Sequence, residues 1–221
     1  MSVGKMVDLF SGLGGASEAF LKNDWEVERY DNNPLFWDRS SDDYVEKTVY
    51  WDALLSIPGS KDIDFLWASP PCLEFSNAPS APKSMHKRLG RLEEYKPDMT
   101  LLKCTLRAIK KMKPRFWAIE NVMGASPYFT KVIGKSHRVK VGSALIWGNF
   151  PVVGFTDEQT DYKKKAGDKY RNSPIRANHR AKVPYWLSDQ MRIAVQYQMM
   201  ISDFEASLDD VSWAWRASKQ G

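Results

Sequence analysis

A chain of 221 residues with 43% hydrophobic and 27% charged residues suits one globular domain with at most a small appendage, and excludes a low-complexity chain. Its two cysteines exclude a disulfide scaffold and fit a reducing compartment, and with three widely spaced histidines they form no zinc pattern. No apolar run is long enough to span a bilayer and no signal peptide is visible, so the expected location is cytoplasmic, with no membrane partner.

The net charge of +5 conceals an asymmetry. Residues 1–60 carry 5 Lys/Arg against 11 Asp/Glu, residues 61–200 carry 25 against 12, and residues 201–221 carry 2 against 4. A basic middle after an acidic start points either to a polyanionic partner on one side of the molecule or to a solvated lysine-rich surface.

In chain order, Met6–Phe10 reads as a strand, Ser11-Gly12-Leu13-Gly14-Gly15 as a tight turn, and Ala16–Lys22 as a helix with Ala16, Ala19 and Phe20 on one face. Strand, glycine turn and helix form the first unit of a nucleotide-binding α/β fold, although many α/β proteins have such a turn. Trp25–Tyr30 is a second strand ending at Asp31-Asn32-Asn33-Pro34. Asp31 there can hold ribose hydroxyls or simply cap a turn. Residues 34–47 read as helix and loop, and Tyr50-Trp51-Asp52 leads into another loop.

The apolar run Phe65-Leu66-Trp67-Ala68 is short enough for a buried strand, and Pro70-Pro71 stops it. Cys72 then lies just past a strand's carboxyl end, where open α/β sheets bind ligands. It is either a small buried hydrophobe or a nucleophile. Residues 77–98 read as a long, basic, irregular loop that could close on a phosphate backbone. Asp98–Met112 has helical periodicity, and Cys104 within it reads as packing. Phe116–Ile119 is a further strand, with Glu120-Asn121-Val122 at its end. Val139–Trp147 reads as two short strands or a hairpin around Gly142-Ser143, residues 156–182 as a polar basic stretch, and Tyr185–Met200 as an amphipathic helix before an acidic tail.

Three of these stretches resemble motifs of the DNA cytosine-5 methyltransferases: Asp8-Leu9-Phe10-Ser11-Gly12-Leu13-Gly14-Gly15, Pro71-Cys72-Leu73-Glu74-Phe75-Ser76, and Glu120-Asn121-Val122. The resemblance covers about residues 5–125. It implies an α/β, Rossmann-like S-adenosylmethionine-dependent methyltransferase fold, with a mostly parallel sheet and helices on both faces. It also implies S-adenosylmethionine as cofactor and double-stranded DNA as partner. Phe10, Gly12, Leu13 and Gly15 would line the cofactor pocket, with Asp31 on the ribose, Asn32 and Asp52 at the adenine, and Pro71 beside the nucleophile. Cys72 would attack C6 of a flipped cytosine, and Glu120 would act at ring N3. Ser76, Asn121, Arg138 and Lys140 are the candidate base or nucleic-acid contacts.

The departures are Leu73 where the family usually has Gln, and the lack of a clean Gln-x-Arg-x-Arg motif. Arg180-Ala181-Lys182-Val183-Pro184 is a relic of the family's late Gly-Asn-x-x-Pro motif at most. The expected organisation is a catalytic domain over 1–155, a basic linker or reduced recognition segment over 156–183, and a C-terminal helix packing back on the catalytic domain over 184–221. The alternatives are the same chemistry on RNA or a free cytosine nucleotide, or a non-catalytic nucleic-acid-binding relative.

Overall fold

The computed structural model describes residues 2–36, 48–134, 137–154, 174 and 176–217. Its centre is four apolar runs that pair side by side. Strands β1 (Lys5–Leu9), β2 (Glu26–Asp31), β3 (Thr48–Tyr50), β4 (Phe65–Ala68), β5 (Phe116–Val122), β6 (His137–Val141) and β7 (Ala144–Asn149) form one sheet in the order β3-β2-β1-β4-β5-β7-β6. The first five run parallel, and β7 runs antiparallel to both β5 and β6.

Period-two alternation along β4 divides the core. Phe65 and Trp67 join Met6, Phe20, Ala118, Ile146 and Leu187 on one face, while Leu66 and Ala68 join Val7, Leu9, Ile119, Leu102 and Trp147 on the other. Because both faces are covered, the strand reads as an unbroken apolar run rather than an alternating one.

Helices α3 (Thr100–Met112) and α4 (Ser126–Ile133) cover the second face. The short α1 (Glu18–Leu21) and the long α6 (Tyr185–Ala217) cover the first. Met191, Val195 and Met199 continue the buried stripe of Leu187 at four-residue intervals. Ser188, itself buried, fastens α6 to the start of α1. Its hydroxyl donates to the Ala16 carbonyl at 2.6 Å and accepts the Ala19 N–H at 3.1 Å.

The first two strands shift by one residue from the sequence reading, and five larger departures each have a local reason. The segment 77–98 is not an irregular loop: it holds α2 (Pro82–Arg88) and a 3-10 turn at Leu92–Glu94. Pro82 occupies the first turn of α2, where its fixed φ favours the helix. Helix α1 is shorter than Ala16–Lys22, because residues 11–17 are spent on the turn. Helix α3 starts at Thr100, and Asp98 stands outside it, accepting the Thr100 N–H at 2.8 Å. Strand β5 continues past Ile119, because Glu120, Asn121 and Val122 pair with Ile146, Leu145 and Ala144 of β7. Helix α6 runs beyond Met200 to Ala217, with no proline or glycine to stop it. The hairpin around Gly142-Ser143 forms as read, and α4 is an element the sequence reading did not assign. Most of the basic stretch 156–182 lies outside the described residues, save Pro174 and the part containing α5 (Arg176–Ala181).

Candidate active site

Parallel pairing puts the carboxyl ends of β1, β2, β4 and β5 on one rim. Three turns leave that rim: residues 10–17 after β1, Asn32–Asn33 after β2, and Ser69–Ser76 after β4. Register bonds lock them together, since the Ser11 N–H donates to the Tyr30 carbonyl and the Ser69 N–H to the Leu9 carbonyl, both at 3.1 Å.

The turn after β1 is conformationally costly. Phe10 has φ of 58°, in the left-handed region that a side chain resists, and Gly12 and Gly14 have φ of 52° and 67°. The Phe10 ring is held edge-on to Trp51, centroids 5.1 Å apart. Leu13 is buried against Phe36. Gly15 lies so close to the Val183 backbone that a Cβ there would sit 2.4 Å from its carbonyl oxygen. Lys182, next in line, pairs with Glu18 at 2.9 Å, so the stretch 180–184 closes over the turn.

Asp31 ends β2 beneath the same turn. Its Oδ2 accepts the Gly12 N–H at 2.9 Å and its Oδ1 the Asn33 N–H at 2.8 Å. Burial pushes its pKa up, while the N–H groups of Asn33, Gly12 and Asn32 pull the other way. Asn32 beside it is exposed. Asp52 is half-buried and its Oδ1 accepts the Leu54 N–H at 2.8 Å, so the structure shows it shaping its own turn.

One side chain that the sequence reading did not assign stands out. The Ser11 hydroxyl is buried without a hydrogen-bond partner, in a residue 9% exposed. Such an orphaned group is costly unless a ligand meets it. Together with a pre-oriented carboxylate and a glycine turn, it fits a ligand carrying ribose hydroxyls and an amino-acid group, as S-adenosylmethionine does. The signal for it in sequence was only its position between Phe10 and Gly12.

On the other half of the rim, partly exposed Cys72 opens a 3-10 turn at Leu73–Phe75, and its carbonyl accepts the Phe75 N–H at 3.0 Å. Phe75 anchors this turn in the core against Phe129 and Tyr128, at 5.0 and 5.8 Å between centroids. Pro71 is exposed beside Cys72, and the Ser76 hydroxyl accepts the Ala78 N–H at 3.1 Å. Glu120 is 7% exposed. Its neighbour Asn121 is 1% exposed and donates its amide to the Pro70 carbonyl at 2.9 Å. That bond ties the strand bearing Glu120 to the turn bearing Cys72. The Asn121 amide, read from sequence as a base contact, is thus engaged inside the protein.

The segment 77–98 is fastened to the same turn. The Tyr95 hydroxyl lies 2.8 Å from both the carbonyl and Oε2 of Glu74, and Lys83 reaches the Gly124 carbonyl at 3.4 Å. Lys87, Arg88 and Arg91 project from it, exposed. Arg138 and Lys140 lie on β6, separated from β5 by β7. Arg138 reaches Ser126 and Thr130 of α4 at 3.4 and 3.5 Å, while Lys140 is exposed nearer the rim. Cys104, by contrast, is buried in α3 beside Arg107. Among the described residues no cluster of His, Cys, Asp and Glu could hold a metal, and no helix is long and apolar enough to cross a membrane.

A seven-stranded, mostly parallel sheet with helices on both faces and a glycine turn at its carboxyl rim is a Rossmann-like fold of the methyltransferase type. Residues 4–127 match the family model described as C-5 cytosine-specific DNA methylase, and the chain belongs to that family. No curated protein sequence matches it.

Among solved structures, an Escherichia coli protein described as a prophage-encoded DNA modification methyltransferase is 18% identical, with a TM-score of 0.38. The match covers 70% of this chain, which spans 49% of that one. Thermoplasma acidophilum protein 1320 is 11% identical with a TM-score of 0.43, over 67% of this chain and 79% of its own. A TehB-like SAM-dependent methyltransferase from Corynebacterium glutamicum is 15% identical with a TM-score of 0.39, over 67% and 80%. The family assignment rests on the match over residues 4–127 and not on these likenesses.

Proposed function

We propose that the protein is a DNA cytosine-5 methyltransferase that uses S-adenosylmethionine and a covalent Cys72 adduct. The observation that carries the reading is the Asn121–Pro70 hydrogen bond. It joins the strand of Glu120 to the turn of Cys72, on the rim that also holds the glycine turn and Asp31. S-adenosylmethionine, when bound, supplies the methyl group. Phe10, Ser11, Gly12, Leu13, Gly15, Asp31, Asn32, Asp52 and Pro71 are the residues that would hold it.

C5 of cytosine is a weak nucleophile, and each protein group addresses that. The Cys72 thiolate adds to C6, which turns the ring into an enamine able to attack through C5. Glu120 donates to ring N3, drawing electron density from C6 so that the thiolate can add. After methyl transfer a water molecule takes the C5 proton, the C–H pair re-forms the C5–C6 double bond, Cys72 leaves as the thiolate, and the N3 proton returns to Glu120. The base must leave the duplex for Cys72 to reach it, at a cost of a few kcal/mol. The α2 segment borders the Cys72 turn and can cover the extruded nucleotide, excluding water. Lys140 and the exposed Lys87, Arg88 and Arg91 are the nucleic-acid contacts that suit this reading best.

The test is methyl transfer from labelled cofactor to duplex DNA, RNA and dCMP, with a 5-fluorocytosine duplex as trap. The expected result is transfer to duplex DNA, an adduct on Cys72 by mass spectrometry, no transfer by Cys72→Ala, and near-normal transfer by Cys104→Ala. An adduct on Cys104, or an active enzyme that forms none, overturns the mechanism. Transfer to RNA or dCMP alone overturns the substrate.

A further inference from the structure

The glycine turn rests on a buried guanidinium that neither the motif nor the family match assigns. Arg29, two residues before Asp31 on β2, is 7% exposed. Its Nε donates to the Ser17 hydroxyl at 2.8 Å, and Nη2 donates to the Gly14 carbonyl at 3.3 Å. Ser17 in turn donates to Asp8 at 2.7 Å, and Asp8 is 1% exposed. The space is fully used: a Cβ on Gly14 would lie 2.5 Å from Arg29 Cζ. So Gly14 is a glycine for two reasons, its φ of 67° and the guanidinium beneath it.

Residues two apart on a strand share a face, so Arg29 and Asp31 grip one turn from below. Asp31 takes the Gly12 N–H and Arg29 takes the Gly14 carbonyl. Between them the peptide groups of 12–14 cannot rotate without breaking a charge-assisted bond. Asp8 supplies the negative charge that makes a buried arginine tolerable there.

We infer that Arg29 is a positioning residue for the cofactor turn: it acts through Gly14 and Ser17 to fix the direction of the 12–15 backbone that S-adenosylmethionine meets. The inference rests on the cofactor reading of that turn. Its consequence is that the strand after the glycine motif, and not only the motif, sets cofactor affinity.

The experiment compares wild type, Arg29→Lys and Arg29→Met in the full chain. Three things are measured: the Kd for S-adenosylmethionine by calorimetry, KM against kcat, and amide exchange of the peptide covering 10–17. Arg29→Met should raise Kd about tenfold or more. It should also speed exchange in 10–17 while β4 and β5 keep their protection, with kcat recovered at saturating cofactor. Arg29→Lys, which keeps the charge but not the forked donors, should fall between. A folded Arg29→Met with wild-type Kd and wild-type exchange overturns the inference. So does a uniform loss of protection across the sheet with unchanged Kd, which is the mark of a purely structural role. If Arg29→Met does not fold, Arg29→Lys decides by the same readouts. Wild-type protein that binds no S-adenosylmethionine sinks the cofactor reading, and the exchange comparison still decides whether Arg29 holds the turn.

Discussion

Asp8 is the residue whose ionisation the fold alters most legibly. Burial pushes its pKa from 3.8 up to about 6, against the Ser17 hydrogen bond and the Arg29 charge, with Asp31 adding to the rise. Between about pH 4 and 6 the folded chain therefore keeps a proton that the unfolded chain releases. Asp8's stabilising contribution is complete below pH 3.8 and is lost as pH rises through about 6. The change is worth about 3 kcal/mol at one unit per 1.36 kcal/mol. Glu18 and Glu28, whose pKa values are lowered despite burial by their lysine partners, act in the opposite sense at acid pH. The difference between Asp8→Asn and wild type isolates the residue from them. Urea unfolding at several pH values should show the variant gaining about 2–3 kcal/mol on wild type between pH 4 and 7.5. A flat difference would mean that Asp8 is ionised throughout.

At the scale of elements, the departure with most consequence is the segment after Cys72. It carries few apolar residues, so no periodicity marks α2 in the sequence, and its order comes from polar tethers. Tyr95 is the chief of these. Burial and the Glu74 carboxylate push its pKa up, which keeps the phenol protonated and a donor. Removing that donor should cost roughly 1–2 kcal/mol of local order, since the Glu74 carboxylate loses its shorter hydrogen bond and keeps only the longer one from the Asp98 N–H among those described, at 3.3 Å. Tyr95→Phe is expected to speed amide exchange over 82–98 about five- to thirtyfold, at nearly constant global stability. Unchanged exchange there would show that packing, and not the hydroxyl, holds the segment. The structure gives the segment 77–98 a helix, α2, and fastens it through Lys83 to Gly124 and through Tyr95 to Glu74.

For the whole molecule, the proposed function makes charge distribution the term that would govern an encounter with DNA. The acidic first 60 residues supply the glycine turn and Asp31 on the rim, while Lys87, Arg88 and Arg91 project from α2 and the turn that follows it. If these three meet phosphates, replacing all three with alanine should reduce the magnitude of the log–log salt slope of duplex binding by about 2–3, at roughly 0.9 for each phosphate contact. The weakening should be similar for every duplex sequence, because phosphate contacts position without reading. An unchanged slope would show that these residues do not meet phosphates, and weakening for one sequence alone would assign them to base readout. Sequence preference should in any case be short. A few bidentate base contacts at roughly 1–3 kcal/mol each define a site of about two to four bases, and bisulfite sequencing of treated plasmid would expose a longer one.

The sequence by itself determined the central strands and where they stop, and the resemblance to a methyltransferase family implied their parallel pairing. A fully apolar run as short as Phe65–Ala68, stopped by Pro70-Pro71, suits a strand buried on both faces better than a helix, and glycine and proline punctuation marks where such runs stop. Hence Cys72, Asp31 and the glycine turn could all be placed at strand ends before any coordinates. What only the tertiary structure decided are facts of partners distant in sequence. Glu120-Asn121-Val122 is strand rather than loop because β7 arrives to pair with it, and the Asn121 amide is engaged because Pro70 lies across from it. Ser11 is orphaned, Gly14 is backed by Arg29, and Gly15 is roofed by Val183. Polar groups carry no periodic signature. Their roles depend on which donors and acceptors the folded chain brings within about 3 Å, and that is set by packing between residues far apart in the chain.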